Sequence, residues 1–131
     1  MEYDFGNKEN QVDVNSLFIS ETDSKGNITY VNDAFCGIAG YNSDELIGKP
    51  HNMIRHDFMP KAAFKDLWNT ISKGDIWSGI VINKTKTGGF YWVKANVFKS
   101  QTSDGNIKYI SIRVKATVDE INEVIKLYPT L

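Results

Sequence analysis

Two histidines, an arginine and an acid fall within one short stretch, Gly48 to Trp68 (GKPHNMIRHDFMPKAAFKDLW), among several large apolar side chains. Arg55, His56 and Asp57 are consecutive and stand just before Pro60, and a proline at a first helical position opens a helix without losing a donor. The stretch therefore reads as a polar cluster on irregular backbone that feeds an apolar helix, an arrangement suited to binding. Arg55 is the first candidate, since a guanidinium donates two parallel hydrogen bonds to a phosphate or a ring carbonyl; the competing reading is a surface pair with Asp57. His56 and His51 are weaker candidates, because histidine caps and packs more often than it binds, and neither spacing nor an HExxH pattern supports a metal. Trp68 lies on the apolar stripe of the following helix, where a tryptophan is either core or the wall of a pocket. No paired carboxylates and no nucleophile with a base appear, so the chain is expected to bind rather than to turn over a substrate.

Outside this stretch, Asn83 sits mid-strand in Val81-Ile-Asn-Lys. An amide there is a poor strand former, and burying it unpaired is costly. Arg113 alternates with Ile112 and Val114, a phase in which an arginine also reads as solvent-facing. Asn32 occupies a helix N-cap position, and capping by itself accounts for it.

The elements that must position these residues follow from periodicity. Residues 1–16 mix acids and amides with few apolar groups and read as an arm that packs weakly. Phe18 and Ile19 begin a strand, Asp23 to Asn27 is a turn, and Ile28 to Val31 completes a hairpin. Asn32 and Asp33 open a short helix with Phe35, Cys36, Ile38 and Ala39, closed by Gly40. Asn42 with Glu45 marks a second helical turn. Phe64, Leu67, Trp68 and Ile71 recur at helical spacing between Pro60 and Gly74. From Trp77 the period becomes two, in three segments, Ile80–Ile82, Phe90–Phe98 and Tyr109–Val114, separated by glycine turns, which predicts an antiparallel meander. The tail from Val118 is helical to Pro129 and reads as the start of an output helix or linker over 119–131.

Composition bounds the rest. With Lys+Arg at 15 against Asp+Glu at 16 the net charge is −1, and no basic field drives nucleic-acid binding. A chain of 131 residues buries about two thirds of its unfolded surface, enough for a core that holds a small ligand. The single cysteine, Cys36, excludes an internal disulfide and fits a reducing compartment. No apolar run approaches the ~20 residues that span a bilayer and no leader pattern is present, so a cytoplasmic location without membrane insertion is expected.

The element order, GYNSDELIGKPH and the final meander resemble a PAS domain, and the run HNMIRH with MPKAAF and WSGIV is similar to the PAS domain of bacterial aerotaxis (energy-taxis) receptors. The likeness extends from about Phe18 to Asp119. It implies an α+β PAS fold over 17–118, a five-stranded antiparallel sheet with short helices covering one face. It also implies non-covalent FAD, redox sensing, and a signalling domain or chemoreceptor as partner, with a PAS homodimer as a further arrangement. On this likeness Asn83 faces the flavin edge, Arg113 stands where related domains place a second ring-edge partner, and Asn32 matches a position linked with the cofactor. Arg55, His56, His51 and Trp68 complete the expected site. One departure stands out: the family commonly reads RHPDMP where this chain has Arg55-His56-Asp57-Phe58-Met59-Pro60, so the acid comes one position early and an aromatic takes its place.

Rival readings are a haem PAS gas sensor with His51 or His56 as axial ligand, and a ligand-free PAS interaction module. Gly37-Ile-Ala-Gly40 lacks half of a dinucleotide fingerprint. The stretch where photosensing relatives keep an adduct-forming cysteine reads Asn52-Met-Ile-Arg55, which disfavours blue-light adduct chemistry.

Overall fold

The structure, a computed structural model, describes residues 4–131. Asp23 folds the first hairpin, its carboxylate accepting the backbone N–H groups of Lys25 (2.9 Å) and Asn27 (3.0 Å), while Gly26 takes the positive φ of 86° that the tight turn needs. Strands β1 (Phe18–Asp23) and β2 (Ile28–Val31) leave that turn as an antiparallel pair. Asn32 then does two jobs. Its side-chain oxygen caps α1 (Asp33–Ala39) by accepting from Phe35 N (3.0 Å) and also accepts from Ile19 N (3.1 Å), and its amide donates to the Leu17 carbonyl (2.9 Å).

Helix α2 (Ser43–Leu46) follows, and the chain turns back so that Gly48 and Lys49 pair with Ile28. This pairing delivers a 3₁₀ turn, His51–Ile54, to the mouth of the first hairpin, where His51 N–H donates to the Gly26 carbonyl (3.0 Å). Helix α3 (Lys61–Ser72) begins one residue after Pro60. Strands β3 (Trp77–Lys84), β4 (Phe90–Gln101) and β5 (Ile107–Lys115) form the expected meander. The sheet order is β2-β1-β5-β4-β3, antiparallel throughout. The α+β architecture read from periodicity is therefore the one observed.

Both ends pack on the sheet. The arm expected to pack weakly over 1–16, of which 1–3 lie outside the described residues, is tied down where it is described: Asn7 and Asn10 donate to the carbonyls of Gly88 (3.1 Å) and Phe90 (2.7 Å), and Phe90 N–H donates to the Lys8 carbonyl (2.9 Å). Val12 is buried, and Phe5 sits in an aromatic cluster with Phe58, Phe90 and Trp92. A polar segment packs here because its backbone adds to the sheet and two apolar side chains suffice to seal it. The C-terminal helix α4 (Val118–Leu127) also folds back on the sheet: Glu120 pairs with Lys94 (3.0 Å), Val124 is buried, and Tyr128 donates its hydroxyl to the Ile80 carbonyl. No helix among the described residues is long and apolar enough to cross a membrane.

Candidate functional site

Strand alternation selects what faces inward. On β1 the buried phase carries Phe18, Ser20 and Thr22, and on β5 it carries Ser111 and Arg113; β3 is buried on both faces from Ile80 to Asn83, and its Val81 and Asn83 share the face that lines the cavity. These polar groups and the apolar side of α3 enclose a cavity of about 270 Å³. Phe64, Leu67 and Trp68 of α3 turn to it, with the 3₁₀ turn and the Lys25-Gly26 hairpin tip at its rim.

Five of the seven expected positions line this cavity: Asn83, Arg55, His51, Arg113 and Trp68. Asn83, only 2 % exposed, has a side-chain nitrogen with no hydrogen-bond partner among the described residues. Arg113 points inward, 7 % exposed; its Nε donates to Ser111 Oγ (2.9 Å) and one terminal nitrogen is unpartnered. Arg55 pairs by main chain with Asn83, its guanidinium lies 3.4 Å from the Phe64 ring centre, and its buried Nε is unpartnered. Burial holds both guanidinium groups below their usual pKa. Trp68, 39 % exposed, stands at the rim edge-on to Tyr109 (5.2 Å) and against Gly26.

His51 shares a hydrogen bond with Ser20 Oγ through Nε2 (3.0 Å) and meets the Phe35 ring edge-on. Burial first, then the Arg113 and Arg55 charges, push its pKa from the ordinary 6.5 to about 3. Folding therefore keeps His51 neutral in a range where the unfolded chain protonates it, so stability is expected to fall as pH drops below 6.5. Melting temperatures at pH 7 and pH 5 check this: the decline should shrink in His51→Gln, and an equal decline in that variant would place its origin elsewhere.

Two expected positions lie outside the cavity. His56 is turned to the other side of its segment, where Nδ1 accepts from Phe58 N (3.0 Å) and Nε2 meets the Phe5 carbonyl. Asn32 is consumed by the α1 cap and the Ile19 and Leu17 bonds already described. Consecutive side chains on extended backbone point to opposite sides, so Arg55 and His56 cannot both face inward.

Residues that the sequence did not single out complete the wall. Ser20, Ser111 and Tyr109 bring hydroxyls, and their signal was the buried phase of each strand. Trp77 also lines the cavity; its indole N–H donates to Asp66 (3.0 Å) and its ring lies so close over Gly79 that a Cβ there would come within 2.4 Å. Tyr91, 1 % exposed, lies opposite Asn83 in the β3/β4 register, and burial pushes its phenol up to about 12. Among the described residues, three cations, Lys25, Arg55 and Arg113, line the cavity and no acid does. Such a wall suits a ligand rich in acceptors and carrying negative charge.

A family model described as "PAS domain" matches residues 14–115, most of the chain. The chain belongs to the PAS domain family. It is 49% identical over 117 residues to the aerotaxis receptor of Escherichia coli (strain K12), covering 88% of this chain and 23% of that protein. It is 30% identical over 94 residues to the nitrogen fixation regulatory protein of Klebsiella pneumoniae, covering 72% of this chain and 19% of that one. The PAS domain thus spans about a quarter or less of these relatives. Among solved structures, the light-state blue-light photoreceptor Aureochrome1 LOV superposes with a TM-score of 0.69 at 24% identity, covering 81% of this chain and 89% of that one. That likeness is one of fold.

Proposed function

We propose that this PAS domain is a redox sensor of energy state that holds FAD non-covalently in the cavity and reports to a signalling module of the chemotaxis type, without turning over a substrate. The observation that carries the reading is the set of buried donors on Arg55, Asn83 and Arg113 that have no partner among the described residues, around a cavity that no described acid lines. Buried donors without partners are costly and call for acceptors. The cavity lies just under the usual range of about 300–1,000 Å³ for ligand sites, which fits a flavin ring inside and the remainder of the dinucleotide across the rim near Lys25 and Trp68. When bound, FAD supplies reversible electron transfer together with an edge of ring acceptors and a diphosphate.

In this reading Asn83 and Arg113 hold the ring edge, Arg55 balances negative charge, and α3 with Trp68 excludes water. The relative named for aerotaxis, nearly half identical over most of this chain, supports the energy-sensing assignment. An absorbance spectrum before and after dithionite, with identification of the extracted chromophore, tests it. Flavin bands that bleach on reduction are expected. A colourless protein that takes up no FAD from excess rejects the cofactor, and a Soret band transfers the assignment to haem.

A change of ring-edge protonation on reduction would require Asn83 to exchange its hydrogen-bond roles. A mismatched buried bond costs about 1–3 kcal/mol, so Asn83→Ala is expected to shift the flavin midpoint potential by about 20–60 mV, the two-electron equivalent. Spectroelectrochemistry reads this directly, and an unchanged potential would remove Asn83 from the ring edge.

A further inference from the structure

Four side-chain atoms are buried without a hydrogen-bond partner among the described residues: Arg55 Nε, Asn83 Nδ2, Arg113 Nη1 and Tyr91 Oη. The first three belong to residues that line the cavity, and Tyr91 is the one whose orphaned atom has no account yet. It stands directly opposite Asn83 in the β3/β4 register, and residues paired across an antiparallel ladder point to one face. Val97, in the same phase of β4, lines the cavity, so that face is the inner one. The phenol ring meets Phe18 of β1 edge-on at 6.4 Å. Burial raises the phenol pKa, while the Arg113 charge and the nearby Asn83 amide pull it back down. Both groups therefore act at the hydroxyl, although neither is aligned into a hydrogen bond with it.

The three neighbours differ in chemistry. A guanidinium only donates. An amide donates from one end and accepts at the other, and a half-turn of the group exchanges them; a phenol both donates and accepts. An amide on a cavity wall offers one end to a ligand and turns the other inward. Beside a group of fixed sense, the inner end is satisfied in one orientation. Beside a hydroxyl it is satisfied in both, because the hydroxyl accepts from Nδ2 or donates to Oδ1.

We propose that Tyr91 is a positioning residue for Asn83: its hydroxyl pairs with whichever end of the amide faces inward, so that Asn83 presents either a donor or an acceptor to the cavity with no buried group left unpaired. That the occupant is a flavin whose edge exchanges these roles rests on the reading above; the pairing of Tyr91 with Asn83 does not. Without the hydroxyl, the Arg113 charge is the polar neighbour that remains. It favours the amide oxygen inward and the nitrogen toward the ligand, which suits the acceptors of an oxidised ring and lowers the potential.

Tyr91→Phe removes one oxygen and keeps the ring, and a double-mutant cycle with Asn83→Ala reads the pair. In ligand-free protein, urea denaturation is expected to show Tyr91→Phe lowering the folding equilibrium constant about fivefold when Asn83 is present, and changing it by less than about twofold in the Asn83→Ala background. In FAD-loaded protein, Tyr91→Phe is expected to raise the preference for oxidised over reduced flavin about tenfold, a fall in midpoint potential of about 30 mV for two electrons. The same substitution in the Asn83→Ala background should cause no shift, whereas a merely structural effect of Tyr91 would appear in both. Asn83→Ser carries the cycle if the alanine variant does not fold or does not hold FAD. Equal effects on ligand-free stability in both backgrounds assign the phenol to Arg113 and overturn the pair. No shift in potential, a rise, or a shift that persists without Asn83 overturns the positioning role. Failure to take up FAD rejects the cofactor reading, and the ligand-free cycle then decides the pair by itself.

Discussion

Arg113→Met is expected to weaken FAD uptake by about ten- to a hundredfold, the equivalent of a lost charged hydrogen bond of roughly 1.5–3 kcal/mol, and yet to raise the melting temperature of the ligand-free protein. The two signs have one cause. The guanidinium is 7 % exposed, is held through Nε by Ser111, and faces a cavity lined, among the described residues, by two more cations and no acid. A buried charge without a counter-ion opposes folding, as the lowered pKa of Arg113 also indicates. Methionine keeps much of the length and apolar stem while removing the charge. FAD titration of the ligand-free variant reads the first effect and a thermal melt without flavin reads the second. Unchanged affinity would take Arg113 out of the binding site, and a lowered melting temperature would mean that its charge is compensated in the fold.

Phe35→Ala is the variant with the largest expected loss of stability, about 3–5 kcal/mol. Phe35 has no exposed surface and its ring meets the His51 imidazole edge-on at 5.9 Å. Truncation leaves a void between α1 and the cavity wall, and the loss is a large fraction of the 5–15 kcal/mol that holds a typical domain together. Urea denaturation should show the midpoint falling with little change in slope. Trp68→Ala is a useful contrast. It deletes a larger side chain, but one 39 % exposed at the rim, so its effect on ligand-free stability should be a small part of that at Phe35. Equal losses at the two positions would contradict the burial on which both expectations rest.

How much of the site could be read beforehand depends on the range of the interactions. The Asp23 turn, the Asn32 cap, the α3 stripe and the alternation of the meander are decided by neighbours within a few residues, and each appears where the residue pattern placed it. The inward face of β3 was legible in Asn83, because an amide inside an apolar strand is conspicuous. Arg113 was ambiguous, since an arginine between isoleucine and valine suits either face, and only the pairing of β5 with β1 and β4 turned it inward.

The arm was misjudged for a related reason. Its hold comes from backbone pairing with Phe90, a partner at the far end of the chain, and no local composition reports that bond. Arg55 and His56 mark the boundary most clearly. Sequence alone determined that a cationic and aromatic cluster would stand beside an apolar helix over an antiparallel sheet, because side-chain chemistry and short-range periodicity are written residue by residue. Which of two adjacent side chains enters the cavity and which grips the arm was decided only by the tertiary pairing of Arg55 with Asn83, because backbone on an extended segment has two faces and a distant strand chooses between them.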